Sequence, residues 1–166
     1  MNIGIVGGGA VGLLLAAYLG QRHEVTVYTR RLSQAEQLAK CGVALKKDGK
    51  TEVVAVRAQP FAGAELVEPL VFVTVKQYDI AAVCAQPDSF RCVRTLVFLQ
   101  NGMGHIEKLS AFADKNVIVG VVEHGALKLD DRTVVHTGVG KLTLASLYGA
   151  LAMAAELSGD SDFPIE

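Results

Sequence analysis

Residues 2–19 read NIGIVGGGAVGLLLAAYL. The first five are a short apolar run with two isoleucines and a valine, the pattern of a strand buried on both faces of a parallel sheet. The last ten are rich in Ala and Leu and predict a helix. Between them lie Gly7, Gly8, Gly9, Ala10, Val11 and Gly12, which fit G-x-G-x-x-G. Gly7 allows the tight turn out of the strand. Gly9 lacks a side chain where a pyrophosphate would approach, and Gly12 lets the helix pack closely on the sheet. The helix start then offers free N–H groups and a positive dipole end to phosphates. On its own the motif is weak. Here it follows a strand, opens a helix and lies within about thirty residues of a second strand, which is the context that gives it meaning.

Working outward, residues 24–28 (EVTVY) alternate as a strand, and 33–40 read as a helix stopped by Gly42. Residues 43–56 predict two strands around Asp48-Gly49, a hairpin signal. Apolar runs at 70–75 (LVFVTV), 95–99 and 117–122 predict further buried strands, with short helices at 80–85 and 106–112. Beyond 125 the pattern changes to short strands at 127–129, 133–136 and 142–145. A helix is predicted at 151–157, then a turn and a possible strand at 158–166. Strands alternating with helices mean βαβ units. The expected fold is therefore α/β: a Rossmann-type doubly wound, mostly parallel sheet with an appended antiparallel strand region. Such sheets bind ligands at the carboxyl ends of their strands.

Composition sets outer bounds. The 166 residues are 51% hydrophobic and 20% charged, with a net charge of −1, so a sizeable core is expected. There is no basic footprint for nucleic acid and none for an anionic membrane surface. Cys41, Cys84 and Cys92 are odd in number and lack C-x-x-C spacing, so neither a disulfide framework nor a metal site is expected. No basic segment precedes the first apolar run and no stretch is long enough to span a bilayer. A cytoplasmic location is the expectation.

The second predicted strand ends in Tyr28-Thr29-Arg30-Arg31, without the acid that accepts the ribose hydroxyls in an NAD site. A guanidinium can bind a 2′-phosphate bidentately, so the expected cofactor is NADPH, with Arg30 the first candidate and Arg31 the second. Both could instead be solvated charges at a helix start. Lys76, placed just after LVFVTV, can reach a phosphate or ribose, or simply extend to solvent. Asn101, in a loop with Gly102 and Gly104, can donate and accept hydrogen bonds at the ligand edge, or cap the following helix. His105, His124 and His136 read as structural, although Glu123 and His124 could both face the crevice.

GGGAVG, TRR, VTVKQ, QNGMGHIE, VEHGA, HTGVG and SDFPIE, in this order and spacing, resemble the ketopantoate reductase (2-dehydropantoate 2-reductase) family along nearly the whole chain. QNGMG is the most specific of them and residues 145–160 the weakest stretch. The resemblance implies NADPH-dependent reduction of the 2-oxo acid ketopantoate to pantoate, on the route to pantothenate and coenzyme A. It implies pyrophosphate on residues 7–12, 2′-phosphate contacts from Arg30 and Lys76, Asn101 near the nicotinamide and the substrate hydroxyl, and a backbone cofactor contact at Ala126. In the family a second, largely helical domain for substrate and dimerisation carries the proton-donating lysine and a glutamate. Its place would be after residue 166, so residues 1–166 are expected to be the dinucleotide-binding domain, with no catalytic residue. The chain alone is expected to bind NADPH weakly to moderately without useful turnover, and self-association, with a homodimer as candidate assembly, follows from apolar surface a second domain would cover. Two other readings stay open: an NADPH-dependent reductase of another 2-oxo acid, and a non-catalytic dinucleotide-binding module.

Overall fold

The run at residues 2–6 forms β1 (Asn2–Val6), and its neighbours give the topology. In the computed structural model, which describes residues 1–102, 104–157 and 162–166, β1 lies between β2 (Glu24–Thr29) and β6 (Leu70–Val73), both parallel to it. β7 (Thr95–Phe98) and β8 (Asn116–Val122) continue the parallel order on one side, and β5 (Arg57–Pro60) on the other. β11 (Leu142–Tyr148) closes the far edge antiparallel to β8. The sheet order β11-β8-β7-β6-β1-β2-β5 places the reversal of strand order at β1, where doubly wound sheets open their ligand crevice.

A second sheet has the order β4-β3-β10-β9. Its hairpin, β3 (Val43–Lys47) and β4 (Lys50–Val54), turns at Asp48 and Gly49 with φ of 51° and 74°, as a two-residue turn with both central residues left-handed requires. β10 (Thr133–Gly138) pairs parallel with β3 and antiparallel with β9 (Gly125–Lys128). The strands expected beyond residue 125 thus divide: two join the hairpin and one completes the main sheet.

The helix α1 (Ala10–Leu19) runs between the sheets, against β1 and β2 on one side and β3, β9 and β10 on the other. Gly12 and every residue from 13 to 19 are buried, which is why the helix is apolar all round rather than striped. The other face of the main sheet carries a second core, in which Phe90, Phe98 and Phe112 meet Ile80, Val83 and Leu109. α2 (Leu32–Cys41) buries only Gln34, Ala35 and Leu38, and Gly42 ends it at φ 70°.

Several expectations need correcting. The strand at 70–75 stops at Val73, because the main chain of Thr74 and Val75 turns to meet the glycine loop and Gln100. The segment Ile106–Phe112 is a 3-10 helix, and the last helix, α4 (Ala152–Ala155), spans four residues. α3 (Ile80–Cys84) is short as expected. β5 was not expected. Residues 158–161 lie outside the described residues; beyond them Ile165 forms a parallel bridge to Leu142.

Candidate dinucleotide site

Three glycines of the loop after β1 are held differently. Gly7 has φ +119°, which side chains rarely adopt, and a Cβ there would lie 2.8 Å from Thr74 Oγ1. Its N–H donates to the Tyr28 carbonyl at 2.9 Å. At Gly12 a Cβ would collide with the Gly7 carbonyl oxygen, so the first turn of α1 packs directly on the loop. At Gly9 a Cβ would meet nothing within 4 Å. The loop is therefore closed against protein at Gly7, at Gly8, where the Gln34 amide stands, and at Gly12, and open at Gly9. No side chain caps α1 and no acid sits in its first turn, so the positive end of the helix faces that open space unopposed.

Neighbouring strand ends fix this geometry. Thr74 Oγ1 donates to the carbonyls of Val6 and Gly7 at 3.2 and 3.1 Å, which ties the end of β6 to the loop. Gln100, buried beyond β7, donates its Nε2 to the carbonyls of Val73 and Val75 at 2.7 and 3.0 Å. It thereby holds the turn that presents Lys76, which is exposed and precedes a 3-10 turn at Gln77–Asp79.

Arg30 is exposed beyond β2 and makes no hydrogen bond or ion pair among the described residues. Arg31 is engaged: its guanidinium forms a two-pronged pair with the Asp131 carboxylate. That pair raises the Arg31 pKa and holds Asp131 below the ordinary carboxylate range. The second candidate for a phosphate contact is thus already paired with a carboxylate. Asn101 is exposed at the end of β7, on the same edge as the glycine loop; Met103 of the same loop lies outside the described residues. Ala126 is half-buried in β9 and packs, as Val11 does, against the core around α1.

His124 does not face the crevice. It is buried and stacks on Phe163 with ring centroids 4.1 Å apart. The Gly140 N–H donates to His124 Nδ1 at 3.2 Å, which makes that nitrogen an acceptor. His136 Nε2 then donates to the same atom, also at 3.2 Å, and the Tyr18 hydroxyl donates to His136 Nδ1 at 2.6 Å. This chain of neutral rings joins α1 to the second sheet. Glu123 is exposed. Among the described residues no group of three or more His, Cys, Asp or Glu could hold a metal ion, and no helix is long and apolar enough to cross a membrane.

Thr74, Gln34, Gln100, Lys128 and Asp131 were not among the sequence-based candidates. Thr74 and Gln100 stand inside the quoted motifs VTVKQ and QNGMG, but their roles depend on where a strand stops and on which carbonyls lie across from them. Gln34, Lys128 and Asp131 act across 26 to 120 residues, and no local pattern marks them.

Comparison with known proteins agrees with this architecture. The family profile described as "Ketopantoate reductase PanE/ApbA" matches residues 3–149. The chain is 39% identical over 170 residues to a 2-dehydropantoate 2-reductase of Bacillus subtilis, covering 99% of this chain and 56% of that protein. It is 32% identical over 171 residues to one of Listeria monocytogenes, covering 100% of this chain and 58% of that protein. The crystal structure of a probable 2-dehydropantoate 2-reductase, PanE, of Bacillus subtilis superposes with a TM-score of 0.88 at 38% identity, covering 99% of this chain and 57% of that one. The chain thus spans little more than half the length of these relatives. With the matched profile running from β1 into the turn after β11, the chain belongs to the ketopantoate reductase PanE/ApbA family.

Proposed function

We propose that this chain is the NADPH-binding part of a cytoplasmic ketopantoate reductase. In this reading the pyrophosphate lies on residues 7–12, Arg30 and Lys76 hold the 2′-phosphate, Asn101 stands at the nicotinamide and substrate end, and the main chain at Ala126 contacts the cofactor. The observation that carries it is at the end of β2: an unpaired Arg30, with no acid on the strand end itself, beside a glycine loop whose middle is open.

The residues present suit such a group. Gly9 leaves room for a phosphate to reach the main chain, and the N-terminus of α1 offers amides and about half a positive charge. Arg30 adds a planar donor for a dianion. NADPH, when bound, supplies a hydride, which a 2-oxo acid accepts at its carbonyl carbon to become a 2-hydroxy acid. The side-chain amide of Asn101 can orient a carbonyl or hydroxyl oxygen by donating or accepting. Thr74 and Gln100 keep the loops in register so that these groups need not be ordered on binding, which is where preorganisation saves affinity. The proton donor, and the closed cleft that excludes water, we assign to a helical domain following residue 166, which also offers the surface for a homodimer.

Cofactor fluorescence during titration with NADPH and with NADH tests this reading. NADPH is expected to bind more tightly, and Arg30→Ala to weaken NADPH about tenfold or more while leaving NADH little changed. Equal affinities for both cofactors in the unaltered chain would overturn the cofactor assignment.

A further inference from the structure

Three segments meet at the Gly8 carbonyl oxygen. Gln34 of α2 donates to it through Nε2 at 2.8 Å, and Lys128 of β9 through Nζ at 3.0 Å. The same Gln34 nitrogen donates to the Asp131 carbonyl at 3.0 Å, so the turn between β9 and β10 lies one side-chain amide away from the glycine loop. From that turn the Asp131 carboxylate takes the Arg31 guanidinium and lies 3.7 Å from Lys128 Nζ. The turn is itself fixed. Asp130 Oδ1 accepts from the main-chain N–H of Arg132 and Thr133 at 2.9 and 2.8 Å, and Oδ2 accepts from Thr133 Oγ1 at 2.9 Å. A carboxylate missing from the end of β2 is therefore delivered to the neighbouring residue from a position one hundred residues later in the chain.

The space between a glycine loop and the end of the second strand is where a dinucleotide fold places the adenosine ribose. We propose that the second sheet walls this subsite and sets its discrimination: Lys128 is a further cation for the 2′-phosphate, and Asp131 is a counter-charge that limits the preference for it. The proposal rests on the cofactor reading above. An arriving phosphate meets Arg30 unpaired, Arg31 already shared with a carboxylate that its turn holds in place, and Lys128 between the loop and the same carboxylate. Removing Asp131 releases both cations from the carboxylate, leaving Lys128 on the Gly8 carbonyl and Arg31 on Ser33 Oγ, and removes a repulsion. Removing Lys128 leaves the carboxylate less balanced. All three side chains are partly exposed, at 49%, 26% and 30% for Arg31, Asp131 and Lys128, so solvent and salt moderate the effect.

The test is the ratio of NADPH to NADH affinity in the 166-residue chain carrying Asp131→Asn, Lys128→Met or Lys128→Arg, each accompanied by a thermal melt. Asp131→Asn is expected to raise the ratio roughly three- to tenfold and Lys128→Met to lower it by a similar factor. Lys128→Arg should restore most of the loss. Both changes should shrink at about 1 M salt, where the screening length is ~3 Å. Opposite signs from neighbouring substitutions cannot come from a common loss of folding. If the unaltered chain prefers NADPH but both substitutions leave the ratio unchanged, or move it the same way as the melting temperature falls, the cluster only braces the loop and this proposal fails alone. If the unaltered chain shows no preference, the cofactor reading fails and takes the proposal with it.

Discussion

Substituting alanine at Gly12 and at Gly9 separates the packing role of the glycine loop from its binding role. At Gly12 the added methyl would overlap the Gly7 carbonyl and sit 2.7 Å from Thr74 Oγ1. Neither neighbour is the free tip of a flexible side chain: Gly7 is held by its bond to Tyr28 and by Thr74. The helix cannot retreat, because it is buried between two sheets. Overpacking of this kind costs roughly 1–3 kcal/mol, against a gain of about 1 kcal/mol from replacing a helical glycine by alanine. The backbone clash puts the cost at the upper end, so Gly12→Ala should lose about 1–2 kcal/mol, or roughly 2–8 °C in Tm for a chain of this size. Gly9 is the reverse. Its φ of −82° and ψ of −171° suit alanine, and open space surrounds the new methyl, so stability should fall by less than about 1 kcal/mol. That methyl occupies the place assigned to the pyrophosphate, so NADPH affinity should drop at least about tenfold. Urea unfolding followed by circular dichroism reads the first effect and cofactor fluorescence the second. A Gly9→Ala chain with full NADPH affinity, or a Gly12→Ala chain as stable as the parent, would refute this reasoning.

Gln100→Met keeps the volume but removes the donor shared by the Val73 and Val75 carbonyls; Val73 keeps the Leu99 N–H, so leaving the Val75 carbonyl without that donor should cost about 1 kcal/mol in urea unfolding, and an unchanged midpoint would show that the turn does not depend on that amide. Burial holds the imidazoles of His105, His124 and His136 below their ordinary range, with the charges of neighbouring His136 and Lys47 adding to the effect at His124. The unfolded chain therefore takes up protons that the folded chain refuses, so this contribution to stability is complete above about pH 6.5 and declines as the pH falls below it. His124→Phe, which can keep the stack on Phe163, should flatten the stability profile below about pH 6.5; an unaltered slope would mean that His124 does not report on folding.

The sequence was most informative where burial imposes a pattern over consecutive residues. The runs at 2–6 and 95–99 announce strands because both faces are covered, and Asp48-Gly49 announces its turn because both residues carry positive φ. β5 left no such mark. RAQP is an edge strand, half-buried at most and ending in proline; its burial alternates, with Ala58 and Pro60 the covered positions, but over only four residues, and main-chain pairing with Thr26 to Thr29 of β2 places it. The division of the late strands between two sheets was equally silent, since β10 pairs with β3 across some ninety residues. The candidate site divides along the same line. The turn at Gly7 and the close helix packing at Gly12 are legible because they depend on neighbours in sequence. Arg30 and Arg31 stand as first and second candidates for one phosphate, and Asp131, invisible from position 31, pairs with Arg31 and not with Arg30. His124 looked available for the crevice only because its partners, Gly140, His136 and Phe163, lie further along the chain.

Amide chemical-shift mapping of the isotopically labelled chain during NADPH titration locates the dinucleotide on the fold. The largest shifts are expected at Gly9 to Gly12, Arg30, Lys76 and Asn101, with little change in the pocket lined by Gly63, Glu65, Gln86 and Arg91, which lies among segments leading into β6 and β7. Shifts concentrated in that pocket, or a glycine loop unmoved at saturation, would contradict the proposed site.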